Sequence, residues 1–377
     1  MKTAIGKIAA ILAACLAQLV FNGCGPDIKQ VYDDYNQGRR FEQQGKIEAA
    51  IEKYSASIDG HPGFVGGYIS RGVCLCKKEQ FASALADFKK AIEISPRCDL
   101  AHFNSGCVQV ELGELERAIE TFSCAIDLNP THAMAWFRRG DAFAKLKQYD
   151  LAMNDYSETL RLTPGNADVY VSRAAVCAKQ GFSGQTIAEL KGAVNVDSQH
   201  LAALLLLGSK LVESKRFREA EEYFARVISL EPENAAALQK LGICEIVRND
   251  LGEAATHLRQ AVAANPANTQ AKYYCGLVLS DLERFVEAEE YLLDATRSCP
   301  ADAAYRLALA KLYSRTYRAR EAIRMIDDIL LEAPGHAHAL RLRRASEKAL
   351  RQEKMMGRSL RNVNRGSTDS PNGLRAN

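Results

Sequence analysis

The chain has 377 residues and a formal net charge of +3, and 47% of its residues are hydrophobic and 25% charged. This is the composition of a soluble globular protein, which excludes the classes that are defined by extremes of composition. Length alone predicts two or three domains.

The N-terminus has the charged and apolar regions of a secretory signal. Lys2 and Lys7 precede an apolar run at residues 8–21, which is shorter than the roughly 20 residues needed to span a bilayer. The run ends in FNGC, which resembles the lipobox of bacterial lipoproteins and implies lipid attachment at Cys24. A second match, LAAC at Cys15, follows too short an apolar core. The alternatives are an ordinary cleaved signal or a buried first helix.

The same resemblance implies a location. Gly25 follows the cysteine, where an aspartate would imply retention at the inner membrane, so we expect the outer membrane, on its periplasmic face. Residues 1–23 are then a signal peptide and residues 24–30 a lipid-anchored linker. A secretory signal disfavours nucleic acid as a partner. The alternative locations are soluble periplasmic or cytoplasmic.

A repeat follows. A proline recurs at 34-residue intervals over residues 62–334 and is replaced once, by Ser198. Around Pro130, for example, Ala118 lies twelve residues before the proline and Gly140 lies ten residues after it. The proline, alanine and glycine positions each form a column that recurs every 34 residues without an insertion. The interval is therefore a structural period.

Each repeat is predicted to form two helices. Apolar residues between the columns have helical spacing, as in Ala118, Phe122, Ala125 and Ile126. Proline ends the second helix because it lacks an amide hydrogen and restricts the residue before it. Glycine costs about 1 kcal/mol in a helix relative to alanine, so we expect the glycine column where two helix backbones approach closely.

A helix-turn-helix repeat with these columns resembles the tetratricopeptide repeat family. The fourth repeat matches best, at Trp136, Gly140, Phe143, Ala152, Tyr156 and Pro164. Phasing on the prolines gives nine repeats over residues 31–336. The resemblance implies an all-α, right-handed superhelical solenoid, and a scaffold for protein interactions rather than an enzyme.

In this family the first helices of the repeats line a concave groove that binds a partner protein or peptide. The resemblance places these residues in the groove: Tyr35, Arg39, Ile69, Phe103, Asn104, Cys107, Phe137, Arg138 and Asp141. Members that bind carboxylates use Lys and Asn where Ile69 and Val73 stand here, which disfavours carboxylate recognition. Phe103 and Phe137 indicate either an apolar segment of a partner or packing between adjacent helices, and the sequence leaves both open.

The fifth repeat departs most from the pattern. Ala174, Thr186 and Ser198 replace Gly, Ala and Pro. Backbone freedom is added by Gly181, Gly184 and Gly192. We expect this repeat to open first, because a repeat array is stabilised only by contacts between neighbours.

Residues 337–356 are predicted to be a capping helix whose apolar side, formed by Leu340, Ala345 and Ala349, covers the last repeat. Residues 357–377 are predicted to be a disordered basic tail. This C-terminal part carries ten Lys and Arg against three Asp and Glu. The charge indicates either contact with anionic lipid or an acidic partner, or only a solvated capping helix.

Motifs of catalysis are missing: the sequence has no phosphate-binding glycine loop, GxSxG or HExxH. We therefore expect no enzymatic activity, no cofactor and no small-molecule substrate. His336 and His338 lack a surrounding cluster of ligands, so no metal site is predicted. The cysteines after the signal are predicted to fill the helical core, with a link from Cys76 to Cys107 as the alternative.

The first functional hypothesis is an outer-membrane lipoprotein scaffold that supports an envelope assembly, such as a pilus, a secretion system or a cell-wall complex. The alternative is a soluble adaptor, similar to co-chaperones, that binds partner peptides.

Overall fold

The computed structural model describes residues 27–366, so the predicted signal peptide and Cys24 lie outside the described residues. Within that range the secondary structure is all α, as predicted. The helices are α1 (Ile28–Gln43), α2 (Ile47–Gly60), α3 (Val65–Lys77), α4 (Phe81–Ile94), α5 (Asp99–Glu111), α6 (Leu115–Leu128), α7 (Ala133–Lys145), α8 (Tyr149–Leu162), α9 (Ala167–Lys179), α10 (Ser183–Val196), α11 (Leu201–Glu213), α12 (Phe217–Leu230), α13 (Ala235–Arg248), α14 (Leu251–Ala264), α15 (Thr269–Asp281), α16 (Phe285–Ser298), α17 (Ala303–Arg315), α18 (Ala319–Glu332) and α19 (Ala337–Gly366).

Each 34-residue repeat contains one pair of helices, from α1 and α2 to α17 and α18, with α19 after the last pair. We call the first helix of each pair helix A and the second helix B. The predicted amphipathic spacing is confirmed in α6, which buries Ala118, Phe122, Ala125 and Ile126. Two helices per repeat is therefore the observed unit.

The glycine column makes room for a side chain of the same repeat. A Cβ atom added to Gly106 would lie 2.7 Å from the ring of Phe122, which is fully buried in helix B. In the seventh repeat the equivalent contact joins Gly242 to Leu258, also at 2.7 Å. The expectation of a close approach between two backbones is corrected, because the main neighbour is a large side chain of helix B.

The B helices end two residues before the proline column. α4 ends two residues before Pro96, and α10 ends two residues before Ser198. After α10 the backbone N–H of Asp197 donates to the carbonyl of Ala193 at 2.9 Å, as in the proline-containing repeats. The helix therefore ends at the same place where serine replaces proline.

The turn between helices A and B places one residue per repeat in the left-handed region. The φ values lie between 57° and 82°. Glycine, which carries no Cβ penalty there, occupies only three of these positions. The residues are Gly45, Glu79, Gly113, Lys147, Gly181, Lys215, Asn249, Glu283 and Tyr317. This column was not recognised in the sequence because its residue types vary.

The chain divides into two compact units between Val176 and Cys177, within α9. In the first unit the core consists of small clusters between adjacent helices. One of them joins Leu75 of α3, Phe88 of α4 and Val108 of α5. Each hairpin therefore buries its apolar face against its neighbours in sequence, as expected for a repeat protein.

The second unit contains a larger continuous core. It extends from Ala254 and Leu258 of α14, through Leu292 of α16 and Ile326 of α18, to Ala339 of α19. The last helix is thus part of the core of this unit.

The C-terminal helix differs from its prediction in length and in register. α19 continues to Gly366, ten residues past the predicted end, so residues 357–366 of the predicted disordered tail are helical; they contain no proline that would end the helix. It buries Ala339 and Ser346, whereas Leu340 and Ala345 are exposed, so the predicted apolar side is corrected.

No helix within residues 27–366 is long and apolar enough to cross a membrane.

Candidate functional site

The predicted groove residues all lie on A helices of the first unit. They belong to α1, α3, α5 and α7 and occupy three equivalent positions of the repeat. The A helices α3, α5 and α7 contact one another in succession, so equivalent positions form rows across neighbouring helices. The structure therefore brings most of these residues onto one surface, but it exposes them to different extents.

Most apolar members of the predicted groove pack against the protein itself. Phe137 is 8% exposed, and the centre of its ring lies 5.8 Å from that of Tyr156. Phe103 is partly buried, 6.0 Å from the ring of Phe122 and 4.7 Å from that of His132. For Phe137 the structure favours packing, the second of the two alternatives.

Tyr35 and Ile69 are also partly buried. The ring of Tyr35 packs edge-on against Phe64 at 5.1 Å, and its oxygen accepts a hydrogen bond from Ser70 at 3.3 Å. Ile69 packs against two clusters, one that contains Tyr68 and one that contains Phe88. These two residues stabilise the first hairpins as well as lining their surface.

The polar members of the groove are more accessible. Arg39 and Arg138 are exposed, and Asn104 is partly exposed. Asp141 accepts a hydrogen bond from Tyr156 at 2.9 Å, and burial raises the pKa of its carboxyl above the usual range. Burial also raises the pKa of the Cys107 thiol to about 11, so this thiol is protonated and unreactive at neutral pH.

Two buried ion pairs, which the sequence analysis missed, join the two helices of a repeat, and the arginine of each also reaches a serine of the preceding repeat. Arg139 of α7 donates to Asp155 of α8 from Nε at 2.8 Å and from Nη2 at 2.9 Å, and its Nη1 donates to Ser123 of α6 at 2.8 Å. The same arrangement joins Arg71 to Asp87, 68 residues earlier. The sequence does contain a signal for these ion pairs, because in two repeats an aspartate follows an arginine by sixteen residues.

The second unit carries a different surface on its A helices. Leu206 of α11 and Val247 of α13 are 47% and 54% exposed. Ile243 of α13 and Tyr274 and Leu277 of α15, the next A helix, are partly exposed. We call these five residues, together with Lys240, the apolar strip. The sequence predicted no groove residue in this unit. Aliphatic residues at the exposed positions of its A helices could have indicated this surface.

Lys240 is the only charged member of the apolar strip. It occupies the same repeat position as Leu206 and Tyr274, on the helix between them. It is partly exposed and forms no ion pair with any residue in the described part of the chain. The strip therefore presents an unpaired positive charge within an apolar surface, which favours an acidic group in whatever covers it.

Histidines and cysteines of the described residues have structural contacts. The Nδ1 atoms of His200 and His336 accept hydrogen bonds from the backbone at the starts of α11 and α19, at 3.1 and 3.2 Å. Cys177, Cys244 and Cys275 are buried, as the core prediction expected, whereas Cys124 and Cys299 are exposed. Over residues 27–366, no three His, Cys, Asp or Glu side chains are grouped so that they could hold a metal ion.

Comparison with known families gives matches over most of this fold. The model of a tetratricopeptide repeat matches residues 35–97, 103–167, 205–268 and 246–303. The matched residues fall in both compact units, and together they make up more than half of the chain.

Solved structures and a curated enzyme resemble parts of the chain. The C-terminal part of a repeat-containing protein from Cytophaga hutchinsonii is 15% identical, with a TM-score of 0.55, covering 63% of this chain and 98% of that one. The pilF protein of Pseudomonas aeruginosa is 18% identical, with a TM-score of 0.48, covering 55% of this chain and 95% of that one. A UDP-N-acetylglucosamine–peptide N-acetylglucosaminyltransferase of Giardia intestinalis is 36% identical over 62 residues, which are 16% of this chain and 4% of that enzyme.

Proposed function

Because this chain belongs to the tetratricopeptide repeat family, we propose that it is a non-catalytic scaffold that holds a partner polypeptide on its A helices and is anchored to the bacterial outer membrane by lipid. Repeats of this family indicate protein–protein interaction, and the stacked hairpins expose a row of A helices suited to an elongated ligand. The apolar strip supports a binding site in the second unit.

The chemistry of the apolar strip indicates the kind of segment that it binds. Leu206 and Val247 expose aliphatic surface that a partner would remove from water, at a gain of roughly 25 cal/mol per Å² of apolar area. The partner would also desolvate Lys240, which costs free energy unless the partner supplies a carboxylate to pair with it. The proposed ligand is therefore an amphipathic segment that carries aliphatic side chains and one acidic residue facing Lys240.

A photo-crosslinking amino acid at position 247 tests this site in the full chain. We expect an adduct with a polypeptide when the crosslinker replaces Val247, and none when it replaces Val286, which is 77% exposed on a B helix. Lys240→Glu should abolish the adduct by placing like charges together. Equal adducts from positions 247 and 286, or an adduct unaffected by Lys240→Glu, would show that the apolar strip is not the binding site.

The membrane anchor rests on the sequence, since Cys24 lies outside the described residues. A charged segment, an apolar core and FNGC are the parts of a lipoprotein signal, and acyl chains contribute about 0.8 kcal/mol per buried CH₂. Acylation at Cys24 would hold the repeats at the membrane without a spanning helix. A scaffold placed there is suited to supporting an envelope assembly, such as a pilus, a secretion system or a cell-wall complex.

Acyl labelling in cells tests the anchor. Cys24→Ser should abolish labelling and processing and move the protein out of the membrane pellet, whereas Cys15→Ser should change neither labelling nor fractionation. If Cys24→Ser is labelled and fractionates as the parent chain does, the anchor is wrong and a soluble adaptor with the same binding surface replaces it.

A further inference from the structure

The outward side of α19 carries a row of unpaired positive charges. Arg341, Arg344, Lys348 and Arg351 are all exposed, and none forms an ion pair with a residue that the structure describes. Their neighbour Arg343 differs, because it pairs with Asp327 at 2.6 Å. The row is thus separate from the charges that pack α19 onto the last repeat.

Helical geometry places this row opposite the buried side of α19. Ala339 and Ser346 are fully buried, and the oxygen of Ser346 lies 2.6 Å from that of Ser314 in α17. Arg341 and Lys348 each follow a buried residue by two positions, which is a little over half a turn at 3.6 residues per turn. The charges therefore project away from the core of the second unit.

Two apolar side chains lie among these charges. Leu340 is 37% exposed and Met355 is 71% exposed, and both fall on the same side of the helix as Arg344 and Arg351. Exposed apolar side chains between cations are typical of helices that lie at a lipid surface, where the cations meet headgroups and the apolar side chains enter the acyl boundary. A solvated cap would not gain from exposing them.

The length and charge of α19 point the same way. Its 30 residues include nine Lys and Arg against two Asp and Glu, whereas the A helices of the middle repeats have 13 residues. Covering the last repeat requires only the first part of such a helix. The basic row itself continues to Arg351, past the last of the buried contacts at Ser346.

We infer that α19 binds the surface of an anionic lipid membrane through its basic row, with Leu340 and Met355 inserted between headgroups. This adds a second membrane contact to the proposed function and depends on that proposal only for the compartment. The binding itself needs no acyl chain, so it can be measured without one.

Vesicle binding of the full chain carrying Cys24→Ser tests the inference. Vesicles of phosphatidylcholine alone measure any contribution of the N-terminal run, and vesicles that also contain phosphatidylglycerol measure the added effect of anionic lipid. We expect stronger binding to the anionic vesicles, weakening as salt is raised, because exposed charges are screened over about 10 Å at 0.1 M salt.

A matched pair of variants assigns the effect to the basic row. Replacing Arg341, Arg344, Lys348 and Arg351 by glutamine should weaken binding to the anionic vesicles by about 100-fold or more, given the contribution of each cation near such a surface. The control variant removes the same charge from four exposed lysines on other helices and should bind as the parent chain does. Its substitutions are Lys29→Gln, Lys89→Gln, Lys145→Gln and Lys179→Gln.

Three results would overturn the inference: no preference for anionic vesicles, equal losses in the two glutamine variants, or binding that Leu340→Ser with Met355→Ser leaves unchanged. Binding to polyglutamate or duplex DNA but not to the vesicles would replace lipid by an acidic macromolecule. Circular dichroism of each variant must show the parent helix content. None of these outcomes alters acylation at Cys24 or crosslinking from position 247, so the two proposals fail separately.

Discussion

Arg139 and Asp155 form a two-point ion pair across the fourth hairpin, with N–O distances of 2.8 and 2.9 Å. The carboxylate side chain is 5% exposed, and the third donor of the guanidinium reaches Ser123 in the preceding repeat. Breaking such a pair leaves a buried charge without a partner, which is costly even where the intact pair adds little stability.

Arg139→Leu should therefore lower the free energy of unfolding by about 3 kcal/mol. Adding Asp155→Met should recover most of the loss, since the ninth repeat has Leu309 and Met325 at the same two positions. Denaturant melts of the three chains measure both effects. If the double variant is no more stable than Arg139→Leu alone, the unpaired carboxylate of Asp155 is not the cause of the lost stability.

Gly106→Ala should destabilise the third repeat by about 1 to 3 kcal/mol, because the new Cβ would press on the ring of Phe122. Adding Phe122→Leu should recover part of the loss, since Ala174 and Leu190 occupy these positions in the fifth repeat. Gly184→Ala is the control, since nothing lies within 4 Å of its Cβ. It should stabilise α10 by about 1 kcal/mol. Lower stability in this control would contradict the explanation that the contact with Phe122 makes Gly106→Ala destabilising.

Phe137→Ala should cost about 3 to 5 kcal/mol of stability, because it removes a buried ring and leaves a cavity. The matched change Met134→Ala, on the exposed side of the same helix, should cost about 0.5 kcal/mol or less. Thermal melts of the two variants test whether Phe137 stabilises the fold. A normal melt for Phe137→Ala would return this residue to the partner-binding surface.

His257 should make the seventh repeat less stable as the pH rises. It contacts the buried carboxylate of Glu245 at 2.9 Å, and this hydrogen bond raises the pKa of the imidazole above its ordinary value of 6.5. The stabilisation is complete below pH 6.5 and is lost as the pH rises through the higher folded pKa. Melts of the parent chain and of His257→Tyr, a residue found at this position in the neighbouring repeats, should diverge over that range. Parallel pH dependences would show that His257 does not titrate with folding.

Limited proteolysis should cut first between Gly181 and Gly192 in the fifth repeat. Gly181 has a positive φ, and nothing lies within 4 Å of a Cβ added to Gly184, so no packed side chain restrains the backbone at these two positions. Hydrogen exchange provides the second measurement. Faster exchange in the second or eighth repeat than in the fifth would contradict the prediction.

The candidate site was only partly predictable from sequence. The repeat positions placed Arg39, Asn104 and Arg138 on an accessible surface, because helical spacing decides which side of an A helix a residue occupies. Spacing does not decide how deeply a side chain at the edge of that surface is buried. Phe137 is covered by its neighbours, whereas Leu206 at the adjacent repeat position is not.

The 34-residue interval and the helical spacing of its apolar residues by themselves determined the all-α fold and the pairs of helices, since each depends on residues close together in the chain. Tertiary structure alone decided three other features. Only packing shows that Gly106 makes room for Phe122, and that the ion pair of Arg139 joins three helices. The turn residue Lys147 adopts a positive φ with no signal in its residue type, because closure of the hairpin imposes that angle. These features arise from contacts between helices, and sequence patterns within one helix do not record them.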